Sequence, residues 1–391
     1  MLIPQNNKII VIAMIIFIVQ FANALEYMMV NPIFPFMASD LQTSVGYAGY
    51  VASAYTVSSV ISGLFSFVFI DRFNKHRILW GCLLFIGALT LAVPFLQSFS
   101  YVLVIRLVTG LFGGISLGVA MAVLLDTTPE SARGKVIAIV LSAFPMVSIV
   151  GLPLMLWVTN ALSWHITFYI LGMLCIICGG LVYSFIPSME LNLEIKSAHD
   201  LLKGLINKKI LLGAASTGLS NFGSLILIPL LVLIFIDILH LSTQHLPWLF
   251  FVGGLGALLG AKFASWVHDK FSTKTLAVWS TMILMLSMAY LFLLIENSLW
   301  FAYSFMFSMM FAAYLRLILI SIWTASIPKA EQRGGFNSLQ SALNNLFSSM
   351  AFMIPSMWLG SGILDQNDLL PILCLAVIVN LIVLPCLKAI K

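Results

Sequence analysis

The sequence predicts an all-α integral membrane protein of twelve transmembrane helices in two pseudo-symmetric six-helix bundles. Three observations predict it. Of 391 residues, 61% are hydrophobic and only 8% charged, whereas soluble chains are about a quarter charged. The mean hydropathy is +1.08 over the whole length, which excludes soluble enzymes, disulfide scaffolds and disordered tails. Finally, the positive charges gather at alternate ends of the apolar runs.

A crossing needs about 20 mostly apolar residues rising about 1.5 Å each. The first run is Ile9 to about Phe36, broken only by Glu26. Ser44–Ile70, Ile78–Ile105 and Leu107–Leu125 follow, with Arg106 read as lying about 9 Å inside the fourth helix. Val136–Met189 holds 54 residues free of Asp, Glu, Lys and Arg, about 80 Å as one helix. That is too long for one crossing, and the polar patch from Thr159-Asn160 to Trp164-His165 divides it. Beyond the charged stretch 190–209 come Ile210–Ile236, Leu246–Val267, Leu276–Ile295, Leu299–Ile327 (interrupted by Arg316), Phe336–Leu364 and Leu369–Leu387.

A cytoplasmic N-terminus puts sixteen of the nineteen Lys and Arg residues in cytoplasmic segments and none in the outer loops, which carry only Asp40, Asp237, Glu296, Asp365 and Asp368. Lys262 sits two turns inside the eighth helix on the same side, within snorkelling reach. Arg106 and Arg316 are embedded. Both termini are thereby expected in the cytoplasm. Lys8, an apolar run and Ala22-Asn23-Ala24 mimic a signal peptide. Cleavage there would leave eleven helices and remove the cytoplasmic terminus, so the first helix is expected to be retained. The five cysteines, including Cys175-x-x-Cys178, fall inside helices with no nearby His or acid and read as packing residues.

The expected organisation is an N-terminal bundle over 1–189, a cytoplasmic linker over 190–209 and a C-terminal bundle over 210–391. The halves echo each other. Asp71-Arg72-Phe73 recurs as Asp269-Lys270-Phe271, offset by 198 residues, and Pro129 with Arg133-Gly134 recurs as Pro328 with Arg333-Gly334. Repeats at one period in equivalent loops indicate a duplicated unit, and parallel six-helix halves place a substrate site between them near the midplane.

The loop Asp71-Arg72-Phe73-Asn74-Lys75-His76-Arg77 resembles the G-x-L-x-D-R-x-G-R-K loop of the major facilitator superfamily, with Phe67 and Asn74 where the family has glycines. Arg106-x-x-x-Gly110 is similar to that family's embedded arginine motif. Gly151-Leu152-Pro153, followed by Ser163-Trp164-His165-x-x-Phe168, resembles the glycine-proline motif of its antiporter branch. Asn23-Ala24-Leu25-Glu26-Tyr27 resembles the first-helix acid of its drug:proton antiporter and sugar-efflux groups. The resemblance implies a multi-pass protein of the bacterial inner membrane, monomeric, working on a small molecule and protons in the bilayer. It also implies a cytoplasmic gate formed by Asp71, Arg72, Lys75, Asp126 and Asp269, in which Lys75 pairs with the acid ending the fourth helix.

An ionisable group in hydrocarbon is a functional candidate because leaving it there costs several kcal/mol. Glu26 and Arg106 fall in the same leaflet and are read as the proton-coupling pair, the alternative being a static tie between helices. Arg316 is read either as snorkelling to cytoplasmic water or as a substrate anion site. Two embedded arginines against one embedded acid predict a cationic cavity and a carboxylate- or phosphate-bearing substrate. Asn23, Tyr27, Asn31, Thr109, Asn221, Tyr303, Tyr314 and Asn344 complete the expected substrate-binding set, as hydrogen-bonding groups on the cavity helices.

The function expected is secondary active transport, with proton-coupled efflux of a small organic molecule ahead of import of an organic anion. No cofactor other than the proton gradient is expected, and no metal or nucleic acid. Gly134-Lys135 lacks the rest of a phosphate-binding loop. The six histidines scatter over the loops, so neither ATP hydrolysis nor enzyme chemistry is expected. A transport-inactive sensor is the remote alternative.

Overall fold

The computed structural model describes residues 5–69, 73–188, 207–268, 270–293, 298–325, 327–328, 333–360, 364 and 366–388. These residues form twelve helical rods. In chain order they are α1 (Gln5–Met37), α2 (Ala48–Phe69), α3 (Lys75–Ala92), α4 (Phe99–Thr127), α5 (Glu130–Ala161) and α6 (Trp164–Phe185). The second six are α7 (Lys208–Ile238), α8 (Thr243–His268), α9 (Thr273–Leu293), α10 (Leu299–Ala325), α11 (Arg333–Leu359) and α12 (Gln366–Lys388). Backbone groups in hydrocarbon must be satisfied within their own segment, so apolar runs of this length become helices. The expected linker 190–209 lies outside the described residues up to 206.

Local chemistry sets the boundaries. Asn74 caps α3 by accepting from the Arg77 amide at 3.1 Å, and Ser163 caps α6 by accepting from the Ile166 amide at 3.4 Å. One expected boundary moves. Charge spacing divided the third and fourth runs at Arg106, but the chain turns earlier, through the short 3-10 turn Val93–Phe95 containing Pro94. Proline and an uncharged loop end that helix, and Arg106 lies inside α4, as its expected depth in the fourth helix required.

Two rods are irregular along their length. In α5 a π-turn over Val147–Gly151 precedes Pro153, whose missing N–H cannot continue the regular ladder. In α7 the helix breaks after Leu225 at Pro229 and resumes into a π-turn over Ile234–Ile238.

The duplication is visible in the backbone. Gln42, after α1, and His240, after α7, both adopt the left-handed conformation, at φ 49° and 50°. They lie 198 residues apart, the offset that relates the Asp71 and Asp269 loops. The halves meet along two seams, α2 against α11 and α5 against α8. One core cluster runs across both halves from Leu25 and Phe34 to Phe305 and Leu373, while a second, from Ala13 to Ile186, belongs to the N-terminal half. The described Lys75, Arg133, Lys209 and Lys270 share one end of the bundle, the basic face; Asp40, Asp237 and Asp368 share the far face.

Candidate functional site

Between the halves lies a cavity of about 240 Å³. Each half contributes helices to it: α1 with Tyr27 and Met28, α5 with Phe144 and Ser148, α7 with Asn221 and Ser224, α8 with Phe250, and α11 with Asn344 and Ser348. From α10, Met306, Met309, Met310 and Tyr314 line a wall at helical spacing. Flexible thioethers and aromatic faces suit an adaptable apolar binding surface. The polar points are few. The Asn221 amide donates to the Asn344 side-chain oxygen across α7 and α11, and the Tyr314 hydroxyl faces Ser148 across the two halves.

Glu26 is 2% exposed and ion-paired with Arg106, whose Nη1 donates to Oε1 and whose Nη2 lies 3.5 Å from the Glu26 carbonyl. The Arg106 guanidinium sits 4.7 Å from the centre of the Tyr55 ring of α2. That approach needs α4 to be glycine-lined: a Cβ on Gly113 would strike the Tyr55 hydroxyl. Tyr27, next to Glu26 in sequence, packs on Tyr55 with ring centroids 5.5 Å apart and also lines the cavity. A short path therefore runs from the buried pair through two aromatic rings to the cavity wall. Glu26 Oε2 and Arg106 Nε accept or donate no protein hydrogen bond.

Of the expected substrate-binding set, Tyr27, Asn221, Tyr314 and Asn344 line the cavity. The others are corrected. Asn23 donates to Ser116 Oγ at 2.9 Å within the N-terminal half. Thr109 spends its hydroxyl on the Ile105 carbonyl at 2.7 Å. Asn31 is buried outside the cavity. Tyr303 is half-buried and leans on Trp300, itself 83% exposed at the bundle's outer surface. Arg316 neither snorkels nor reaches the cavity: it is fully buried, donating to the Asn380 side-chain oxygen, to the Ser220 carbonyl at 3.3 Å and to the Asn380 carbonyl at 3.4 Å. The cavity is accordingly not cationic: among the described residues that line it, none is charged. Both guanidiniums are turned into the interior of their own bundles, a direction that charge counting along a sequence cannot supply.

At the basic face Lys75 Nζ meets Asp126 Oδ2 at 2.8 Å, joining α3 to the end of α4. Asp71, Arg72 and Asp269 of the expected gate lie outside the described residues. At the far face two hydrogen bonds cross between the halves, from Gly49 N to Ser356 Oγ at 2.9 Å and from Asn160 Nδ2 to the Thr243 carbonyl at 3.1 Å. Trp164 Nε1 donates to Asp40 at 2.7 Å and ties α6 to the loop after α1.

Sequence reasoning missed Asn380, Tyr55 and Ser148. Asn380 had a signal, being a lone amide in the apolar run Leu369–Leu387. Tyr55 and Ser148 had none, because their roles come from which helix faces which.

Comparison with known proteins then decides the family. A sequence profile described as Major Facilitator Superfamily matches residues 16–384. The chain belongs to the major facilitator superfamily. It is a multi-pass membrane transporter, not an enzyme. Among curated relatives it is 23% identical over 308 residues to the 4-hydroxybenzoate transporter PcaK of Acinetobacter baylyi, covering 69% of this chain and 67% of that one. To the chloramphenicol resistance protein of Streptomyces lividans it is 22% identical over 262 residues, covering 66% and 67%. It spans 42% of the uncharacterized MFS-type transporter YwfA of Bacillus subtilis, at 26% identity, with 42% of this chain matched. Among solved structures it superposes on the nucleoside transporter NupG with a TM-score of 0.78 at 13% identity, over 96% of this chain and 99% of that one. A bacterial homolog of the human lysosomal transporter Spinster, inward-facing and occupied, matches with a TM-score of 0.75 at 14% identity, over 97% and 96%.

Proposed function

We propose that this chain is a proton-coupled antiporter that expels a small, largely apolar organic molecule by alternating access. The observation that carries the reading is the buried Glu26–Arg106 pair, one aromatic layer away from an uncharged cavity shared by both halves. The protonation of a carboxylate in that position depends on its contact with Arg106 and on its burial, so a change in either can take up or release a proton. A molecule seated against Tyr27 and Met28 presses on the Tyr27–Tyr55 stack behind which Arg106 lies. Displacing Arg106 from Glu26 favours uptake of a proton; restoring the pair releases it. The far-face hydrogen bonds of Gly49 and Asn160 hold the exit shut in this state. Rocking of the two halves about the α2–α11 and α5–α8 seams breaks them. The protein works as a monomer in the bacterial inner membrane, with the basic face and both termini in the cytoplasm.

The substrate reading departs from the anion expected on charge count. Apolar side chains supply most of the surface, methionines and aromatic rings among them, and the amides of Asn221 and Asn344 with Tyr314 supply orientation, which suits an uncharged molecule with one or two hydrogen-bonding groups. A second reading, uptake of an aromatic acid, draws on the relatives named for 4-hydroxybenzoate and niacin.

Proteoliposomes test both. With an imposed pH gradient, antiport drives chloramphenicol against its own gradient toward the acidic side, and Glu26→Gln abolishes the pH dependence. Uptake of 4-hydroxybenzoate into the alkaline side, with chloramphenicol not moved, establishes the second reading in place of the first. Undiminished pH-driven flux in Glu26→Gln removes the coupling role.

A further inference from the structure

Glu26 needs a way to exchange protons with water, and the cavity does not touch it: neither Glu26 nor the residues one and two turns before it, Asn23 and Gln20, line the cavity. These three residues follow one another at every third position of α1, a spacing that puts each beside the next on adjacent turns. All three are nearly sealed, at 2%, 1% and 5% exposure. Each keeps one oxygen without a protein hydrogen bond: Glu26 Oε2, Asn23 Oδ1 and Gln20 Oε1. The orientation of Gln20 is fixed, because Nε2 donates to the Leu117 carbonyl at 3.3 Å. On the facing side α4 offers Ser116 Oγ. Buried polar atoms are nearly always satisfied, and ordered water serves where protein does not. Three such acceptors in a row, in a segment otherwise walled by Ile16, Val19 and Val119, are an unusual concentration.

We propose that Gln20 and Asn23 support a file of ordered waters along α1 that carries protons between Glu26 and the Gln20 end of the row, on the side of the basic face and apart from the substrate cavity. The inference rests on the coupling role of Glu26 and deepens it. The file covers about 9 Å from Glu26 to Gln20. An excess proton entering at the Gln20 end hops from water to water and protonates Glu26 Oε2, while Arg106 keeps its charge. The groups facing Glu26 are Arg106 of α4, Tyr55 of α2 and Cys175 of α6, with Tyr27 on α1 itself. Of the other helices that meet this part of α1, α5 and α7 bring no titratable residue within 136–161 or 210–236, α11 brings Phe352 against Tyr27, and α10 brings Tyr314 near Tyr27. Proton and cargo can then occupy the protein together without sharing a passage. Gln20 and Asn23 are positioning residues, holding the water and not the proton.

Infrared difference spectroscopy after a pH jump, on the full chain in lipid without substrate, tests this. The carboxylic acid band missing from Glu26→Gln reports protonation of Glu26. Gln20→Leu and Asn23→Leu are expected to slow its appearance at least tenfold while leaving its final amplitude in place. Gln20→Ser, smaller but still polar, retains a rate within threefold of the original, which separates loss of the file from damage to folding. Rates unchanged in both leucine variants overturn the route, as does a band amplitude set by added sodium at constant pH, which would make the three oxygens a cation site. If Glu26→Gln removes no band at all, the coupling reading itself fails, a result distinct from a band whose rate ignores Gln20.

Discussion

The guanidinium of Arg316 on α10 grips Asn380 on α12 by both its side-chain oxygen and its backbone carbonyl, just as Arg106 on α4 grips Glu26. The two halves thus share one way of holding a buried arginine and differ in a single atom type: a carboxylate in one half, an amide in the other. Of the two acceptors only the carboxylate can take up a proton, so the proposed coupling draws on the N-terminal half alone. Asn380 keeps its place because Gly223 of α7 has no side chain to displace it.

Removing the Asn380 amide should therefore destabilise the C-terminal half. Asn380→Ala leaves a buried cation short of its best acceptor, and a loss of about 2–4 kcal/mol is expected. Asn380→Asp supplies a carboxylate in the same position and should raise the unfolding temperature. Thermal unfolding in detergent distinguishes them; equal losses in both variants would mean that the position requires the amide itself and not merely an acceptor oxygen for Arg316.

In the N-terminal half the two members of the pair are unequal. Arg106→Ala strands a carboxylate in hydrocarbon and should cost about 3–5 kcal/mol or force the acid to stay protonated. Glu26→Gln leaves an arginine with an amide, the arrangement that Arg316 and Asn380 already show to be tolerated, so its stability loss should be much smaller. A double-mutant cycle adding Glu26→Gln to Arg106→Ala should recover part of the deficit. Additive losses would show that the two side chains are not energetically coupled.

Lys75 and Asp126 make a different kind of contact. The side chains are 17% and 45% exposed, so water screens them, and breaking the pair should cost under about 1 kcal/mol. Its contribution is to fix the end of α4 against the start of α3. Lys75→Asp should impair transport in proteoliposomes with little change in unfolding temperature, and the exchanged pair Lys75→Asp with Asp126→Lys should restore most of it. No recovery in the exchanged pair would show that each residue acts through other partners.

How much of this was readable beforehand depends on what each residue's role rests on. Helix number and alternation rest on solvation, a property of composition, and were legible throughout. Lys75 and Asp126 were also legible, through a motif whose spacing is local. Glu26 and Arg106 were identified as embedded, yet the assignment of Arg316 to a cavity failed because hydropathy gives depth in the membrane and not azimuth around a helix. The same limit put Thr109 and Tyr303 on the cavity wall, when one is turned to its own backbone and the other toward the outer surface. The methionines of α10 show the converse: nineteen in the chain look alike in sequence, and only the packing of α10 between α7 and α8 singles out Met306, Met309 and Met310.

The mid-membrane crossing of α5 and α8 offers the sharpest test of motion between the halves. The π-turn of α5 presents the Ser148 carbonyl toward α8, and Gly254 meets it so closely that a Cβ there would lie 2.6 Å from the oxygen. Backbone, not a flexible side-chain tip, is the obstacle, so a side chain can be accommodated only if the helices part. The interiors of the two bundles do not depend on this contact, because α8 packs chiefly on α10 and α5 on its own half. Gly254→Val should then leave each half folded while prising the seam open, with transport falling at least tenfold and the unfolding temperature shifting little. The same wedge should loosen the far face, where Gly49 and Ser356 hold the halves together. In a background freed of native cysteines, Ser356→Cys should react faster with a water-soluble thiol reagent when combined with Gly254→Val than when Gly254 is retained. Unchanged labelling together with lost transport would place the effect of the Gly254→Val substitution in the cavity, through Ser148 and Tyr314, and not in the hinge between the halves.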